Sequence, residues 1–429
     1  MDEKICRAYI DILKAELVPA LGCTEPGAVA FAAGQAASLL GGFPDHLDVW
    51  CSGNIVKNVK GVIVPNSDGM RGIDAAAILG AACGKAEAKL EILSAVTPAD
   101  IAKTKELLKT DYCKCMLEEG ESNLFIRVVA TKGSDSSEVI VRDGHTNIVF
   151  MKHGDQVLVD TAVEKEDDTL EGKKKLLSIK GILDFAKNAD ISEIKDILNY
   201  QIKVNCEIAE EGLTNCYGAC VGKTIMESYG DDIKVRARAK AAAGSDARMA
   251  GSCMPVVINS GSGNQGITVT VPVVEYAKEL SLTRDELYRA LCVSNLVAIN
   301  IKRHIGKLSA FCGAISAATA VGAAVTYMRG GSYEEICYTI TNTLGNVSGV
   351  VCDGAKASCA AKIAAGLDAA FLADRMAAKH RHFSAGEGLV EDDIEETILN
   401  IGLVGRDGMK ETDVEILHLM LGDIDKTTC

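Results

Sequence analysis

The chain shows two patterns of hydrophobic and polar positions, and the change between them lies near Ser178. From Leu124 to Asp160, short runs alternate β-branched and polar residues between Gly-containing turns, which is typical of an antiparallel meander. An extended run, Leu47–Cys51, precedes it and leads into SGNIVKNVKGVIVPNSDG, whose Gly and Asn residues predict a loop. After Ser178 the apolar positions recur with helical spacing, and Thr283-Arg-Asp-Glu predicts a capping box.

These patterns predict an α+β fold of two units. Residues 1–177 are expected to form a mixed α/β domain that contains the meander, and residues 178–429 an all-helical domain. A length of 429 residues exceeds what one hydrophobic core usually supports. Clefts between domains commonly bind ligands, so the site is expected between the two units.

The charge balance narrows the class of partner. The chain has 45 Lys and Arg against 59 Asp and Glu, a net charge of −14, which argues against nucleic acid or an anionic membrane surface. A small soluble substrate is expected instead, and a homodimer is left open. The apolar run Leu308–Val325 consists mostly of Ala, Gly, Ser and Thr, which favours a buried helix over a membrane span.

Cysteine usage indicates the compartment. There are 16 cysteines, and the first residues, MDEKICRAYIDILK, are acidic and amphipathic rather than typical of a secretion signal. A cytoplasmic protein with reduced thiols is therefore expected, in which cysteines stay free or bind metal.

Three cysteines in the second half lie in a context that suits a metal. Cys312 lies in LSAFCGAIS, near the start of a small-residue helix, and Cys352 and Cys359 lie in GVVCDGAKASC, where a loop leads into another helix. Helix N-termini stabilise thiolates, and small neighbours leave room for a bulky group. Three cysteines on a four-iron cluster would leave one iron free as a Lewis acid. Buried structural cysteines explain the spacing equally well.

A fourth cysteine precedes a helix near the N-terminus, in LGCTEPGAVAFAAGQAA. Thr24 is expected to cap a helix that Glu25 and Pro26 open. Cys23 would then face the positive end of the helix dipole, which lowers the pKa of a thiol and favours a reactive thiolate. A plain buried cysteine before a capped helix is the alternative.

A run of polar and glycine positions, NSGSGNQG, separates two apolar segments and suits close backbone approach to a carboxylate or phosphate. A plain loop is the alternative. The candidate binding residues in the run are Ser260, Gly261, Ser262, Gly263, Asn264 and Gln265.

Two other residues are weaker candidates. Lys57 could form a Schiff base with pyridoxal phosphate, in which case the glycine-rich run would bind the phosphate, but this alternative leaves the three cysteines without a role. His304 could help to bind substrate, with a surface helix position as the alternative.

Taken together, five motifs resemble the L-cysteine desulfidase family, which is related to the α subunit of iron–sulfur serine dehydratases. They are LGCTEP, GNIVKN with the following GVIVP, NSGSGNQGI, IGKLSAFCG and VVCDGAKASC, in the family's order. The resemblance implies a [4Fe–4S] cluster held by Cys312, Cys352 and Cys359, and Cys23 as the catalytic base. It also places Asn54, Lys57 and the Ser260–Gln265 run near the substrate.

The implied reaction is the elimination of sulfide from L-cysteine, which yields pyruvate, hydrogen sulfide and ammonia. The chemistry is consistent, because a thiolate removes an α-proton only if the substrate carboxylate is neutralised and the leaving group is held by a Lewis acid. L-Serine or L-threonine dehydration is the alternative in the same class, and a non-enzymatic iron–sulfur redox sensor is the alternative in another. Related serine dehydratases place a C-terminal cysteine on the fourth iron without substrate, which makes Cys429 a candidate ligand. The alternative is that Cys429 is an exposed terminal thiol without a role.

Overall fold

The alternating segments form strands of one mixed sheet. The computed structural model describes residues 2–161, 169–306 and 308–422. A six-stranded sheet has the order β3-β2-β4-β5-β6-β7, in which β2 and β3 are parallel and all other neighbours antiparallel. The predicted meander is confirmed as β4 to β7. The strands are β1 (Pro19–Leu21), β2 (His46–Cys51), β3 (Cys113–Leu117), β4 (Phe125–Lys132), β5 (Asp135–Arg142), β6 (Ile148–His153), β7 (Gln156–Asp160) and β8 (Pro255–Val257).

Most of the described chain is helical, above all after residue 178. The helices are α1 (Glu3–Glu16), α2 (Thr24–Leu39), α3 (Gly53–Lys60), α4 (Ile73–Cys83), α5 (Pro98–Leu107), α6 (Leu170–Lys174), α7 (Ile179–Asn188), α8 (Lys195–Thr214), α9 (Val221–Tyr229), α10 (Ile233–Met249), α11 (Gly263–Glu279), α12 (Arg284–Ile305), α13 (Gly313–Met328), α14 (Tyr333–Val347), α15 (Ser358–Ala377), α16 (Ile394–Leu403) and α17 (Lys410–Leu421). Short 3₁₀ turns span Ala86–Ala95 and Ser192–Ile194, and a π-helical turn spans Val404–Gly408.

Local chemistry explains several of these elements. In β2 the side chains of Leu47, Val49 and Cys51 are buried and alternate with half-exposed ones, as expected where one face of a sheet meets the core. The predicted capping box at Thr283 is present, with Glu286 closing it at the start of α12. Helix α13 is the predicted buried helix, and its small residues allow α11, α12, α14 and α15 to pack around it.

The structure differs from the sequence prediction in three places. The segment after β2, predicted as a loop, begins with helix α3. The N-cap of α2 is Cys23 rather than Thr24, which is the first helical residue. The second half also contains the strand β8, which pairs antiparallel with β1. This pairing joins the N-terminus to the helical half, so the division into residues 1–177 and 178–429 stays a prediction.

One continuous hydrophobic core joins the sheet, α2 and the C-terminal helices. None of the helices within residues 2–161, 169–306 and 308–422 is both long enough and apolar enough to cross a bilayer.

Candidate active site

A cavity of about 100 Å³ lies where the N-termini of α2, α3, α11, α13 and α15 converge. Free backbone N–H groups at a helix start point along its axis, so each of these ends favours negative charge. The convergence therefore builds a site that suits anionic groups.

The three cysteines of the predicted cluster all line this cavity. Cys312 is the N-cap of α13, and Cys359 is the second residue of α15. A short antiparallel contact brings the third beside the first: the N–H of Cys352 donates to the carbonyl of Ala310 at 2.6 Å, and the N–H of Cys312 donates to that of Val350 at 2.9 Å. Residues 40 positions apart in the chain thus meet through backbone pairing.

The thiols of Cys312 and Cys352 interact directly. Contact with the Cys312 thiol, together with the positive charges of Lys57 and Lys302, lowers the pKa of Cys352 to about 6. The same contact and burial raise the pKa of Cys312. Positive charge around the pair favours one thiolate, which is the form of cysteine that binds metal.

The donor set fits an iron–sulfur cluster. Three thiols on one cavity wall are soft ligands of the kind that such clusters use. No three His, Cys, Asp or Glu side chains within the described ranges are grouped closely enough to hold a single metal ion. Gly354, in the cysteine loop, has φ +96°, and a Cβ there would lie 2.6 Å from the carbonyl oxygen of Lys57. The loop can therefore approach α3 closely only with glycine at this position.

Cys23 lies in the same cavity, but its electrostatic environment differs from the sequence expectation. Its side chain is 1 % exposed, and Sγ donates to Oε2 of Glu25 at 3.0 Å. Burial and the negative charge of Glu25 raise the pKa of Cys23 well above its ordinary value, although Arg248 opposes this. The predicted lowering by the helix dipole is wrong, because burial beside a carboxylate outweighs it.

Glu25 organises a buried hydrogen-bond network that the sequence did not reveal. Its carboxylate also accepts from Oγ1 of Thr24 and from Nδ2 of Asn58, both at 3.0 Å, and lies 3.9 Å from Nε2 of His145. Burial raises the pKa of Glu25, but His145, Cys23 and Arg248 outweigh it and lower the pKa to about 2. Glu25 is therefore ionised at neutral pH. Glu25 lies within the LGCTEP motif, which was a signal for it, whereas His145 lies in a turn of the meander and had no such signal.

The glycine-rich run forms the turn into α11, with Ser262 as the N-cap. All of its predicted residues line the cavity except Gly263, where a Cβ would collide with Nε of Arg248. Gly261 has φ +77°, and a Cβ there would lie 2.8 Å from Cε1 of His145. Its carbonyl lies 2.9 Å from Oγ1 of Thr24 and shares the single hydrogen of that hydroxyl with Glu25, which ties the turn to the Cys23 segment.

Of the remaining predicted residues, some line the cavity and others do not. Asn54 and Lys57 both line the cavity, but the Lys57 side chain is 2 % exposed and its ammonium group forms an ion pair with Asp413 of α17. His304 lies on α12 against Gly402 and is absent from the cavity wall, and burial lowers its pKa to about 4. Cys429 lies outside the described residues.

One cavity residue that sequence reasoning missed is Lys302, on α12. Its side chain is 5 % exposed, and burial lowers its pKa to about 8. The only local signal was its place in INIKRHIGKLS, two residues before His304.

Comparison with known proteins places the chain among similar sequences. Residues 87–418 match the protein family described as serine dehydratase alpha chain. A UPF0597 protein of Lachnoclostridium phytofermentans is 50 % identical over 97 % of this chain and 99 % of the relative. UPF0597 proteins of Finegoldia magna and Treponema denticola are 48 % and 45 % identical, over 96 % and 99 % of this chain and 99 % and 100 % of the relatives. The predicted relation to serine dehydratases is confirmed at the level of the family, and the specificity for L-cysteine stays a prediction.

Proposed function

The chain belongs to the serine dehydratase alpha chain family, and from this premise we propose that it is a lyase that eliminates the β-substituent of a small α-amino acid. The first candidate substrate is L-cysteine, which would yield pyruvate, hydrogen sulfide and ammonia. One observation carries the proposal: motifs spread from residue 21 to residue 359 contribute Cys23, the glycine-rich turn and three cysteines to one cavity.

The cofactor we propose is a [4Fe–4S] cluster held by Cys312, Cys352 and Cys359. When bound, it would supply a Lewis acid that polarises the substrate. The positive helix ends and the turn residues of the chain would hold the substrate carboxylate, which makes the α-proton easier to remove.

Cys23 is the residue that we assign to the α-proton. Its thiol donates to Oε2 of Glu25, so the ionised Glu25 carboxylate would first take the thiol proton, and the resulting thiolate would accept the proton from Cα. The hydrogen bond between Thr24 and Gly261 keeps Cys23 at a set distance from the turn that would hold the substrate. In the reaction the Cα–H and Cβ–S bonds break, a Cα=Cβ bond forms, and the sulfur leaves as sulfide. The resulting aminoacrylate rearranges to an imine, which hydrolyses to pyruvate and ammonia.

L-Serine is the second candidate substrate, and the family description favours it. The same proton removal would expel water in place of sulfide. A redox sensor that uses the cluster without turnover is the alternative from another class, and it would leave the glycine-rich turn without a role.

Anaerobic purification tests these functions together. The expected protein is brown, contains iron and acid-labile sulfide, and forms pyruvate from L-cysteine with matching sulfide release. Cys352→Ala should lose both iron and turnover, whereas the control Cys253→Ala, at an exposed cysteine, should keep both. Pyruvate from L-serine alone would select the dehydratase, and iron without turnover the sensor. A colourless protein active only with pyridoxal phosphate would refute the proposal.

A further inference from the structure

One buried cation in the candidate site, Lys302, has neither a hydrogen bond nor an ion pair among the described residues. Lys302 lines the cavity beside Cys312 and Cys352. Within residues 2–161, 169–306 and 308–422, no hydrogen bond or ion pair engages its Nζ. Burying an ammonium group without a partner is costly, so such a group is usually paired or serves a ligand.

The other two cations of the cavity have carboxylates close by. Lys57 is paired with Asp413 and lies 3.5 Å from the carbonyl of Cys352. Arg248 donates from Nε to the carbonyl of Gly22 at 2.9 Å, and its charge acts on ionised Glu25. Lys302 is therefore the cation that is best placed to meet an incoming anion.

The same cavity also contains hydrogen-bond acceptors without donors. The side-chain oxygens of four carboxamides are buried and unpartnered within the described residues, although buried polar atoms are normally hydrogen-bonded. The orientation of the Asn58 side-chain amide follows from its hydrogen bond to Glu25. Because Nδ2 donates to that carboxylate, Oδ1 is the atom left to accept a hydrogen bond from a ligand. An ammonium group has the three donors that such a wall lacks. The four residues are Asn54, Asn58, Asn264 and Gln265.

We propose that Lys302 pairs with the carboxylate of the amino-acid substrate and that Oδ1 of Asn58 accepts from its ammonium group. The inference rests on the proposed function, in that it takes the substrate to be an α-amino acid. It assigns to Lys57 the structural role of holding α3 against α17, in place of the predicted contact with substrate.

Two half-substrates separate the contacts. 3-Mercaptopropionate keeps the carboxylate and thiol of cysteine but lacks the ammonium group, and cysteamine keeps the ammonium group and thiol but lacks the carboxylate. Their dissociation constants are measured by anaerobic equilibrium dialysis on the iron-loaded protein, with iron and acid-labile sulfide content determined in parallel.

Lys302→Met should weaken 3-mercaptopropionate roughly tenfold to a hundredfold and leave cysteamine within about twofold. Lys362→Met is the matched control, because it removes a positive charge near the same thiols that is already held by Asp353. Lys362→Met should leave the dissociation constants of both probes unchanged.

Asn58→Leu should give the reverse preference, with cysteamine weakened by about tenfold. Because this change also removes a donor from Glu25, binding of 3-mercaptopropionate by the same variant is the control. It should stay within about twofold, since a general disturbance of the cavity would weaken both probes.

Equal weakening of both probes in Lys302→Met, or loss of iron and sulfide, would overturn the inference and assign Lys302 to balancing the thiolates. Unchanged 3-mercaptopropionate binding would overturn it too. Failure of the proposed function looks different, because the unaltered protein would then turn over neither L-cysteine nor L-serine.

Discussion

The buried pair between Lys57 and Asp413 offers a direct test of what Lys57 does. The Lys57 side chain is 2 % exposed and the Asp413 side chain 14 % exposed, and the pair links α3 at the cavity to the C-terminal helix α17. Replacing Asp413 with Asn would leave the Lys57 charge buried without a counter-ion. If Lys57 is structural, the main effect should be on stability rather than on substrate binding.

The magnitude follows from burial. Breaking a buried ion pair by removing one partner costs about 3–5 kcal/mol, and we expect about 3 because Asp413 keeps some contact with water. At roughly 2.1 cal/mol/K of unfolding entropy per residue, a chain of 429 residues has about 0.9 kcal/mol/K. Dividing the two gives a fall in Tm of about 3 °C for cooperative unfolding, and more if α17 and its neighbours unfold as a smaller unit.

Thermal unfolding followed by circular dichroism measures this shift for Asp413→Asn, Lys57→Met and the double variant. The double variant should recover most of the lost stability, because replacing both partners removes the orphaned charge. A surface pair, Lys105 with Asp68, serves as the control and should shift Tm by less than about 1 °C. Additive losses in the double variant would refute the reasoning.

Three further predictions concern Asp246, Gly261 and Cys23. Burial raises the pKa of Asp246 to about 6, so the native state binds this proton more tightly than the unfolded state does. The free energy of unfolding should therefore fall as pH rises from about 4 through 6. Measured by urea unfolding, Asp246→Asn should increase the free energy of unfolding by up to about 3 kcal/mol at pH 8 and leave it unchanged near pH 4. Gly261→Ala should at least halve turnover, because its Cβ would meet His145 and its φ is positive; unchanged kinetics would contradict the close approach. Cys23→Ala should keep iron and acid-labile sulfide but abolish pyruvate formation, and residual turnover above one per cent would exclude it as the main base.

Much of the fold was predictable because its signals are local. The meander follows from alternation within β4 to β7, and the start of α12 follows from Thr283 and Glu286, which are three residues apart. Local patterns also bring out the cysteine motifs and the glycine-rich turn. Their chemistry depends on residue type and near neighbours, which are visible in the sequence itself.

Helix α3 shows where local reasoning fails. Its Gly and Asn residues predicted a loop, yet tertiary contacts hold it as a helix: Lys57 pairs with Asp413, and Lys60 donates to the carbonyl of Met420 at 2.6 Å. These contacts come from α17, more than 350 residues away, and they override weak helix propensity.

The sequence by itself determined the candidate ligands, the turn beside them and the family to which the chain belongs. Only the tertiary structure decided the electrostatic environment of these residues and which other side chains lie beside them. Cys23 has a raised pKa because folding buries it beside Glu25. His145 and Lys302 enter the cavity from a strand turn and a distant helix. Burial and proximity are properties of the folded chain, and no local pattern contains them.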